Sequence, residues 1–303
     1  MKNSYLTRVL KVLLFAGIFV SGTTANAQWR IKTLSWNIES GESSLNQIST
    51  YLSDLEGYDI IGLSEVDPAW AANLVSAAEG GEGAKGNSIA NFSYVIGSSG
   101  FDTRLMIIWD TDRFELVGSA VELDNLNSAT LSHRSPLYIT LRRRVDHTSF
   151  IFMVNHLARG DEALRNAQAQ GLKSWAMEQT LPIIAAGDYN FDYDLDEGTG
   201  NAAFNIMLDP VSVTEDQVTT PVTVWEWLKP TKMIKSQSSQ SYNSILDFVF
   251  VANMPGNWVY SSEILLTQIP FVDDTTHADH RPIDATFFVN PPAEVENTLL
   301  SNP

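Results

Sequence analysis

The 303-residue chain contains no cysteine. Without thiols it forms no disulfide bridge, binds no metal through a thiolate and performs no thiolate chemistry. Its stability must therefore come from a buried apolar core, which a chain of this length is large enough to build. Candidate functional residues have to be sought among the carboxylates, amides, histidines and arginines.

Positive charge is also scarce, because 19 Lys and Arg residues stand against 36 Asp and Glu residues and give a formal net charge of −17. Such a surface repels polyanions at long range. A phosphate-bearing substrate would have to be attracted locally, most directly by a divalent cation that reverses the potential of one cleft. The alternative is that the acidity serves solubility alone.

After the first 27 residues the sequence has no apolar run long enough to span a membrane. Within that segment three basic residues precede an apolar stretch at residues 12–20, and Ala25-Asn26-Ala27 precedes Gln28, which is the pattern of a secretory signal peptide. We predict that residues 1–27 are cleaved, that the mature chain is not inserted in a membrane, and that it is secreted or periplasmic. An uncleaved anchor is the alternative. Cleavage removes three positive charges, which changes −17 to −20.

The remaining chain shows no internal repeat and no linker, so we assign residues 28–290 to one domain and residues 291–303 to a C-terminal tail. Short runs rich in Ile, Val and Phe predict buried strands at residues 31–36, 60–63, 105–109, 150–154, 183–186, 245–251 and 283–289. Helical patterns occur at residues 45–55 and 163–177. This alternation predicts an α/β sandwich of two mixed sheets with helices outside.

Polar residues stand where the predicted strands end or begin. They are Asn37, Glu65, His156, Asp188, Asn190, Asp279 and His280. Taken singly, each is more often a turn residue than a ligand. Because the carboxyl ends of neighbouring strands converge in open α/β sheets, one cleft could hold them all.

Asp247 differs from these residues because it lies inside a predicted buried strand. An ionised carboxylate in that position costs several kcal/mol unless it is paired. A histidine is the obvious partner, since a carboxylate on one ring nitrogen fixes the tautomer and raises the basicity of the other nitrogen.

The order of these motifs resembles that of the endonuclease/exonuclease/phosphatase superfamily, whose fold is a four-layered, DNase I-like α/β sandwich with two mixed sheets packed face to face. The matching stretches are Leu34-Ser35-Trp36-Asn37, Leu63-Ser64-Glu65, Val154-Asn155-His156, Gly187-Asp188-Tyr189-Asn190, Ile245-Leu246-Asp247-Phe248 and Ala278-Asp279-His280-Arg281-Pro282. They follow the family's order across most of residues 28–290. The family usually has Ser where this chain has Ala278, which puts one hydrogen bond in doubt.

The resemblance implies a metal-dependent phosphoester hydrolase. Asn37, Glu65 and Asp279 would hold a cation, usually Mg²⁺, with Mn²⁺ or Ca²⁺ as alternatives; oxygen ligands suit such hard cations. Asp188 and Asn190 would orient the attacking water and the phosphate. His280, supported by Asp247, and His156 would act as acid, base or phosphate ligand, and the sequence does not say which histidine is which.

Two arginines are further candidates for substrate binding. Arg134 precedes a possible strand in a region where nuclease-like family members often carry a phosphate-contacting arginine, and Arg104 begins a buried run. Arginine suits bidentate phosphate contact but is also common on surfaces, so a plain surface role is the alternative.

Three functions compete at this point. The first is a nuclease or phosphodiesterase that acts by in-line water attack, with DNA or RNA as candidate substrates; its weakness is the lack of a broad basic surface. The second is a lipid-headgroup or sugar-phosphate phosphoesterase of the sphingomyelinase or inositol-phosphatase type. The third is a catalytically silent binding module, since a fold does not imply a function. No protein partner is predicted.

Overall fold

The computed structural model describes residues 30–55, 57–83, 91–128, 133–215, 218–238, 241, 243–266 and 276–289. The predicted signal peptide and C-terminal tail lie outside the described residues. The strands are β1 (Arg30–Asn37), β2 (Ile60–Val66), β3 (Phe92–Ile96), β4 (Arg104–Asp110), β5 (Phe114–Glu122), β6 (Leu137–Arg143), β7 (Ser149–His156), β8 (Ile183–Asp194), β9 (Val211–Glu215), β10 (Val218–Val222), β11 (Glu226–Trp227), β12 (Ser244–Ala252), β13 (Val259–Ile264) and β14 (Ile283–Phe288). The helices are α1 (Leu45–Asp54), α2 (Ala71–Gly83), α3 (Glu162–Met177) and α4 (Ala202–Leu208).

The strands form two six-stranded sheets and a separate hairpin of β9 and β10. The first sheet has the order β13-β14-β1-β2-β4-β3, and the second has the order β11-β12-β8-β7-β6-β5. Both are mixed, because β1 pairs parallel with β2 and β7 pairs parallel with β8, whereas the other pairs are antiparallel. Each parallel pair occupies the centre of its sheet.

The two sheets pack face to face with helices outside, as predicted. Strand β1 contacts β8, and β2 contacts β7, across the interface. Alternate residues of β1 serve different layers: Ile31 joins the core that is shared with the second sheet, and Leu34 and Trp36 join the core that α1 and α2 cover. The fold is therefore an α/β sandwich of two mixed sheets. None of the helices within the described residues is both long and apolar enough to cross a membrane.

Helix α3 begins where the sequence places its start signal. The side chain of Asp161 accepts a hydrogen bond from the backbone N of Leu164 at 2.9 Å, and Glu162 lies in the first turn. The cap satisfies a donor that the helix leaves unpaired, and the acid is favoured by the helix dipole. This sets where the chain leaves β7 and enters the outer layer.

Every predicted apolar run is a strand in the structure, and both predicted helices are present within one residue at each end. The strands that the sequence did not predict include both edges of each sheet: β13 and β3 in the first sheet, and β11 and β5 in the second. Edge strands are partly exposed and need no continuous apolar run, and β5 has only one buried residue, Phe114. Whether such a segment forms a strand depends on the neighbouring strand with which it pairs.

Gly62 of β2 tests how closely the sheets pack. A Cβ atom at this position would lie within 3.0 Å of Val154 Cγ2 on β7, so Gly62→Ala overpacks the interface. We expect the free energy of unfolding to fall by about 1–3 kcal/mol in chemical denaturation. Gly256→Ala is the control, because a Cβ there meets nothing within 4 Å. Equal stability of the two variants would contradict close packing at Gly62.

Candidate active site

The site lies at one end of the two parallel strand pairs that form the centres of the sheets. Asn37 closes β1 and His156 closes β7, and Glu65 lies near the end of β2. Asp188 lies within β8, where the parallel pairing of β8 with β7 ends. His156 and Asp188 are paired in register. The parallel pairing carries these four side chains to one end of the sandwich.

Asp188 occupies the centre of this group. Its Oδ2 lies 3.2 Å from Asn37 Nδ2, 3.6 Å from His156 Nε2 and 3.8 Å from His280 Nε2. Its Oδ1 accepts a hydrogen bond from the backbone N of Asn190 at 3.0 Å. Burial and the nearby negative charge of Asp247 raise the pKa of Asp188 to about 7, although the positive charge of His280 lowers it in part. Such a carboxylate can accept a proton near neutral pH.

Asp247 and His280 form a buried pair behind Asp188. Asp247 Oδ2 lies 2.7 Å from His280 Nδ1, and both side chains are 2% exposed. Burial disfavours charge on the imidazole, but the negative charges of Asp247 and Asp188 outweigh this and raise the pKa of His280 to about 10. Asp247 thus has the imidazole partner that its burial requires, and the Nε2 of His280 faces the site.

Backbone contacts hold this pair in place. The indole Nε1 of Trp36 donates to the carbonyl of His280 at 3.0 Å. Ser236 Oγ accepts from the backbone N of Asp247 at 3.2 Å, and the carbonyl of Ser236 accepts from Arg281 N at 2.7 Å. The segment at residues 236–238 therefore fixes the aspartate and the histidine relative to each other.

Unusual backbone geometry turns the strand ends toward the site. Glu65 has φ +58° and Asn190 has φ +51°, values that cost energy in non-glycine residues and occur often at functional sites. Gly187 has φ +144°, and a Cβ atom there would collide with the carbonyl of Asn155. Only glycine therefore allows β7 and β8 to bring His156 and Asp188 together in this way.

A set of oxygen ligands lies beside Asp188. Glu65 Oε1 accepts a hydrogen bond from Asn37 Nδ2 at 3.2 Å. Asp279 Oδ1 lies 3.7 Å from His280 Nε2, and Asp279 Oδ2 accepts from Gln237 Nε2 at 3.0 Å. Carboxylate oxygens of this kind fit a hard divalent cation. The part of the chain that the structure describes has no group of three or more His, Cys, Asp or Glu side chains arranged to hold a metal by themselves, so water and substrate would have to complete the coordination.

His156 carries a buried polar atom that a bound group could satisfy. Its side chain is 6% exposed, and its Nδ1 lies 3.6 Å from Glu65 Oε1 but has no hydrogen-bond partner among the described residues. Burial lowers the pKa of His156, and the positive charges of Arg134 and His280 lower it further. A buried, unpaired ring nitrogen is costly in a protein interior, so a bound group is expected to satisfy it.

The structure places the two candidate arginines differently. The guanidinium of Arg134 lies 3.9 Å from Glu65 Oε1, and its Nε donates to the carbonyl of Thr103 at 2.9 Å. Arg104 instead donates to the carbonyls of Phe101 and Gly97 at 2.9 and 3.2 Å. Arg134 therefore borders the site, whereas the recorded contacts of Arg104 stabilise a loop. The role of both residues in substrate binding stays a prediction.

Sequence reasoning missed two polar residues that contact Asp279. Glu39 Oε2 accepts a hydrogen bond from the backbone N of Asp279 at 3.0 Å. Burial and the charge of Asp279 raise the pKa of Glu39 to about 7. Gln237 holds the carboxylate of Asp279. Glu39 stands only two positions after Asn37, and this proximity is the one sequence feature that weakly indicates a role in the site. Gln237 lies in a long loop with no sequence pattern that indicates such a role.

Solved structures share this architecture. A protein of the endonuclease/exonuclease/phosphatase family from Bacteroides thetaiotaomicron superposes with a TM-score of 0.60 at 13% identity, over 86% of this chain and 98% of the other. A mannosyl-6-phosphatase from the same species gives 0.58 at 14% identity, over 85% and 99%. A humanized TDP2 from D. rerio gives 0.61 at 15% identity, over 85% and 98%. These similarities place the fold in the class of DNase I-like α/β sandwiches.

The family model for the endonuclease/exonuclease/phosphatase family matches residues 34–259. The chain therefore belongs to this family, whose members are hydrolases that act on phosphoester bonds. No curated protein matches the sequence.

The buried pair leads to a prediction for the metal-free protein. Asp247→Asn keeps the shape of the side chain but removes the negative charge that stabilises His280 as a cation. We expect the ring pKa of His280, measured by NMR titration, to fall, and the protein to lose about 3 kcal/mol of stability. The control Glu115→Gln should leave the His280 titration unaltered and change the stability much less, because it removes only a surface ion pair with Arg142. An unchanged His280 titration in Asp247→Asn would refute the pairing.

Proposed function

We propose that the protein is a metal-dependent phosphoester hydrolase in which water attacks phosphorus in line with the leaving oxygen. The observation that carries the proposal is Asp188, a buried carboxylate that lies between two histidines and next to a set of oxygen ligands. Membership of the family supports the reaction class.

The metal requirement rests on the donors that are present. Glu65 and Asp279 would hold the cation, with Glu39 and Asn37 beside them. Asn37 directs its amide nitrogen toward Glu65 and Asp188 and accepts from Glu39 N through its oxygen, so it supports the carboxylates in addition to any direct contact. When bound, a cation such as Mg²⁺ supplies Lewis-acid stabilisation of the transition state. Mn²⁺ and Ca²⁺ are the alternatives.

The remaining residues divide the other tasks. Asp188 would accept the proton of the attacking water, and Asn190, whose Nδ2 donates to the carbonyl of Leu157 at 3.0 Å, would orient the phosphate. His280 would donate from Nε2 to a phosphate oxygen, because Asp247 occupies its Nδ1. His156 would then face the leaving oxygen with its unpaired nitrogen. Fixed donors of this kind stabilise developing charge without reorganisation.

Two substrate classes are compatible with this chemistry. Arg134 beside Glu65 is the observation that favours a nuclease or phosphodiesterase, since it could contact a second backbone oxygen. The net charge of −17 and the acidic surroundings of the site favour a smaller phosphate ester, because they disfavour a long polyanion. Among the similar structures, one is named a mannosyl-6-phosphatase and another TDP2. The proposal covers both classes at the level of phosphoester hydrolysis.

Activity is tested on the purified mature protein. We expect the protein to hydrolyse at least one of four substrates: plasmid DNA, RNA, bis-p-nitrophenyl phosphate and p-nitrophenyl phosphate. This hydrolysis should occur with Mg²⁺ or Mn²⁺ and be lost when EDTA is added. Asp188→Asn should lower kcat about 10²–10⁴-fold. Glu65→Gln should shift the metal titration to about tenfold higher concentration or more.

Glu115→Gln is the matched control, because it makes the same carboxylate-to-amide change on an edge strand of the second sheet. Unchanged hydrolysis in Asp188→Asn would exclude the assigned base, and an unaltered metal titration in Glu65→Gln would exclude the assigned ligand. If none of the four substrates is hydrolysed, the catalytically silent binding module is favoured.

We also propose that the protein is exported, on the evidence of residues 1–27. In a bacterial host that expresses the full chain, the periplasmic or secreted fraction should contain a protein that begins at Gln28, as read by N-terminal sequencing. Ala27→Arg should block cleavage, since small residues are required before the cut. Full-length protein confined to the cytoplasm or retained in the membrane would contradict the proposal.

A further inference from the structure

A cavity of about 710 Å³ is lined by Arg159, Asp192, Asp194, Asp196, Lys235 and Asn243 together with two serines. Its volume lies within the usual range of about 300–1,000 Å³ for small-molecule sites. All the described residues that line it are polar or charged, and none is aromatic. Its lining is therefore unlike that of a pocket for an apolar or stacked ligand.

The cavity is connected to the candidate active site by direct contacts. The Nδ2 of Asn201 donates both to the carbonyl of Asn190 at 2.8 Å and to Asp192 Oδ2 at 3.3 Å. Ser236, which holds Asp247, also donates from its backbone N to the carbonyl of Ser244 on the cavity wall at 3.2 Å. These contacts place the wall of the cavity next to the backbone that carries Asn190 and next to the segment that holds Asp247.

The polar groups of the wall are already ordered. Asp194 Oδ1 accepts from the backbone N of Asp196 at 2.8 Å and of Glu197 at 2.9 Å, and Asp196 Oδ1 accepts from Asn243 Nδ2 at 3.1 Å. Each carboxylate keeps a second oxygen that can accept further hydrogen bonds.

The mixture of groups defines what the cavity can bind. Three carboxylates accept hydrogen bonds, Arg159 and Lys235 donate them, and Asn243 does both. A hydroxyl group also donates and accepts, so a ligand with several hydroxyls would match the wall. Three negative charges against two positive charges disfavour a second phosphate. The described lining residues include no aromatic side chain on which a nucleobase could stack.

We propose that the cavity binds a polyhydroxylated leaving group, so that the substrate is the phosphate ester of a sugar or polyol. This inference rests on the proposed phosphoester hydrolase function. Water would form the new bond to phosphorus, the bond between phosphorus and the sugar oxygen would break, and a proton would pass to that oxygen. The link from Asn190 through Asn201 to Asp192 on the cavity wall supports a ligand that occupies both sites. A monoester would yield inorganic phosphate and the free sugar.

The test compares substrates that share the phosphate but differ in the leaving group. Mannose 6-phosphate and glucose 6-phosphate present hydroxyls, p-nitrophenyl phosphate presents none, and thymidine 5′-monophosphate presents a nucleoside. We expect kcat/KM for at least one hexose phosphate to exceed that for the nucleotide by about tenfold or more, since unpaired polar groups of a site reject the wrong ligand.

Variants then assign the preference to the cavity. Asp192→Asn is isosteric, and Asn243→Ala is a second, independent change. Each should raise KM for the hexose phosphate and lower its kcat/KM about tenfold, while p-nitrophenyl phosphate turnover stays within about twofold. Glu115→Gln should change neither substrate. The thermal midpoint of each variant shows whether its fold is intact.

The outcomes are distinguishable. Hydrolysis of p-nitrophenyl phosphate without a hexose preference, or an equal loss on both substrates in folded variants, overturns the cavity assignment and leaves the hydrolase proposal standing. A preference for the nucleotide or for DNA overturns it in favour of nucleic acid. No turnover of any phosphoester overturns the hydrolase proposal and this inference with it.

Discussion

The parallel pairing of β1 with β2 and of β7 with β8 is the constraint on which the site depends. Each pair lies at the centre of its sheet, and the two pairs face each other across the core. Since both parallel pairings end at the same side of the sandwich, four chain segments meet there. Gly62 and Gly187 allow this approach, because side chains there would collide with the neighbouring strand. Residues far apart in sequence thereby share one buried centre.

Burying the charged groups of this centre costs electrostatic free energy, and the nearby opposite charges offset that cost. Burial alone would drive Asp188 to its neutral form and His280 to its uncharged form. The carboxylates of Asp188 and Asp247 lie on the two nitrogens of the His280 ring, so the imidazole keeps its charge and its orientation. Nδ1 of His156 is buried and has no hydrogen-bond partner among the described residues, so it is available to a bound group. Groups that the fold holds in place in this way can stabilise developing charge without reorganisation.

Charge also limits what can reach the site. The chain is strongly acidic. Among the described cationic side chains, Arg134 lies beside Glu65, and Arg159 and Lys235 line the neighbouring cavity. A bound cation would provide the main local attraction for phosphate. On the proposal above, the mixed charges of the cavity wall would then discriminate between leaving groups.

The sequence by itself determined the buried strands and most of the polar centre, because an apolar run followed by Asn37, His156 or Asp188 is visible without a structure. It also indicated that Asp247 needs a partner, since burial of an unpaired charge is costly. Only the tertiary structure decided the edge strands, the contacts of Glu39 and Gln237, and the different surroundings of Arg104 and Arg134. These depend on which segments meet in space, and partly exposed strands and loops carry no periodic pattern that reveals their neighbours.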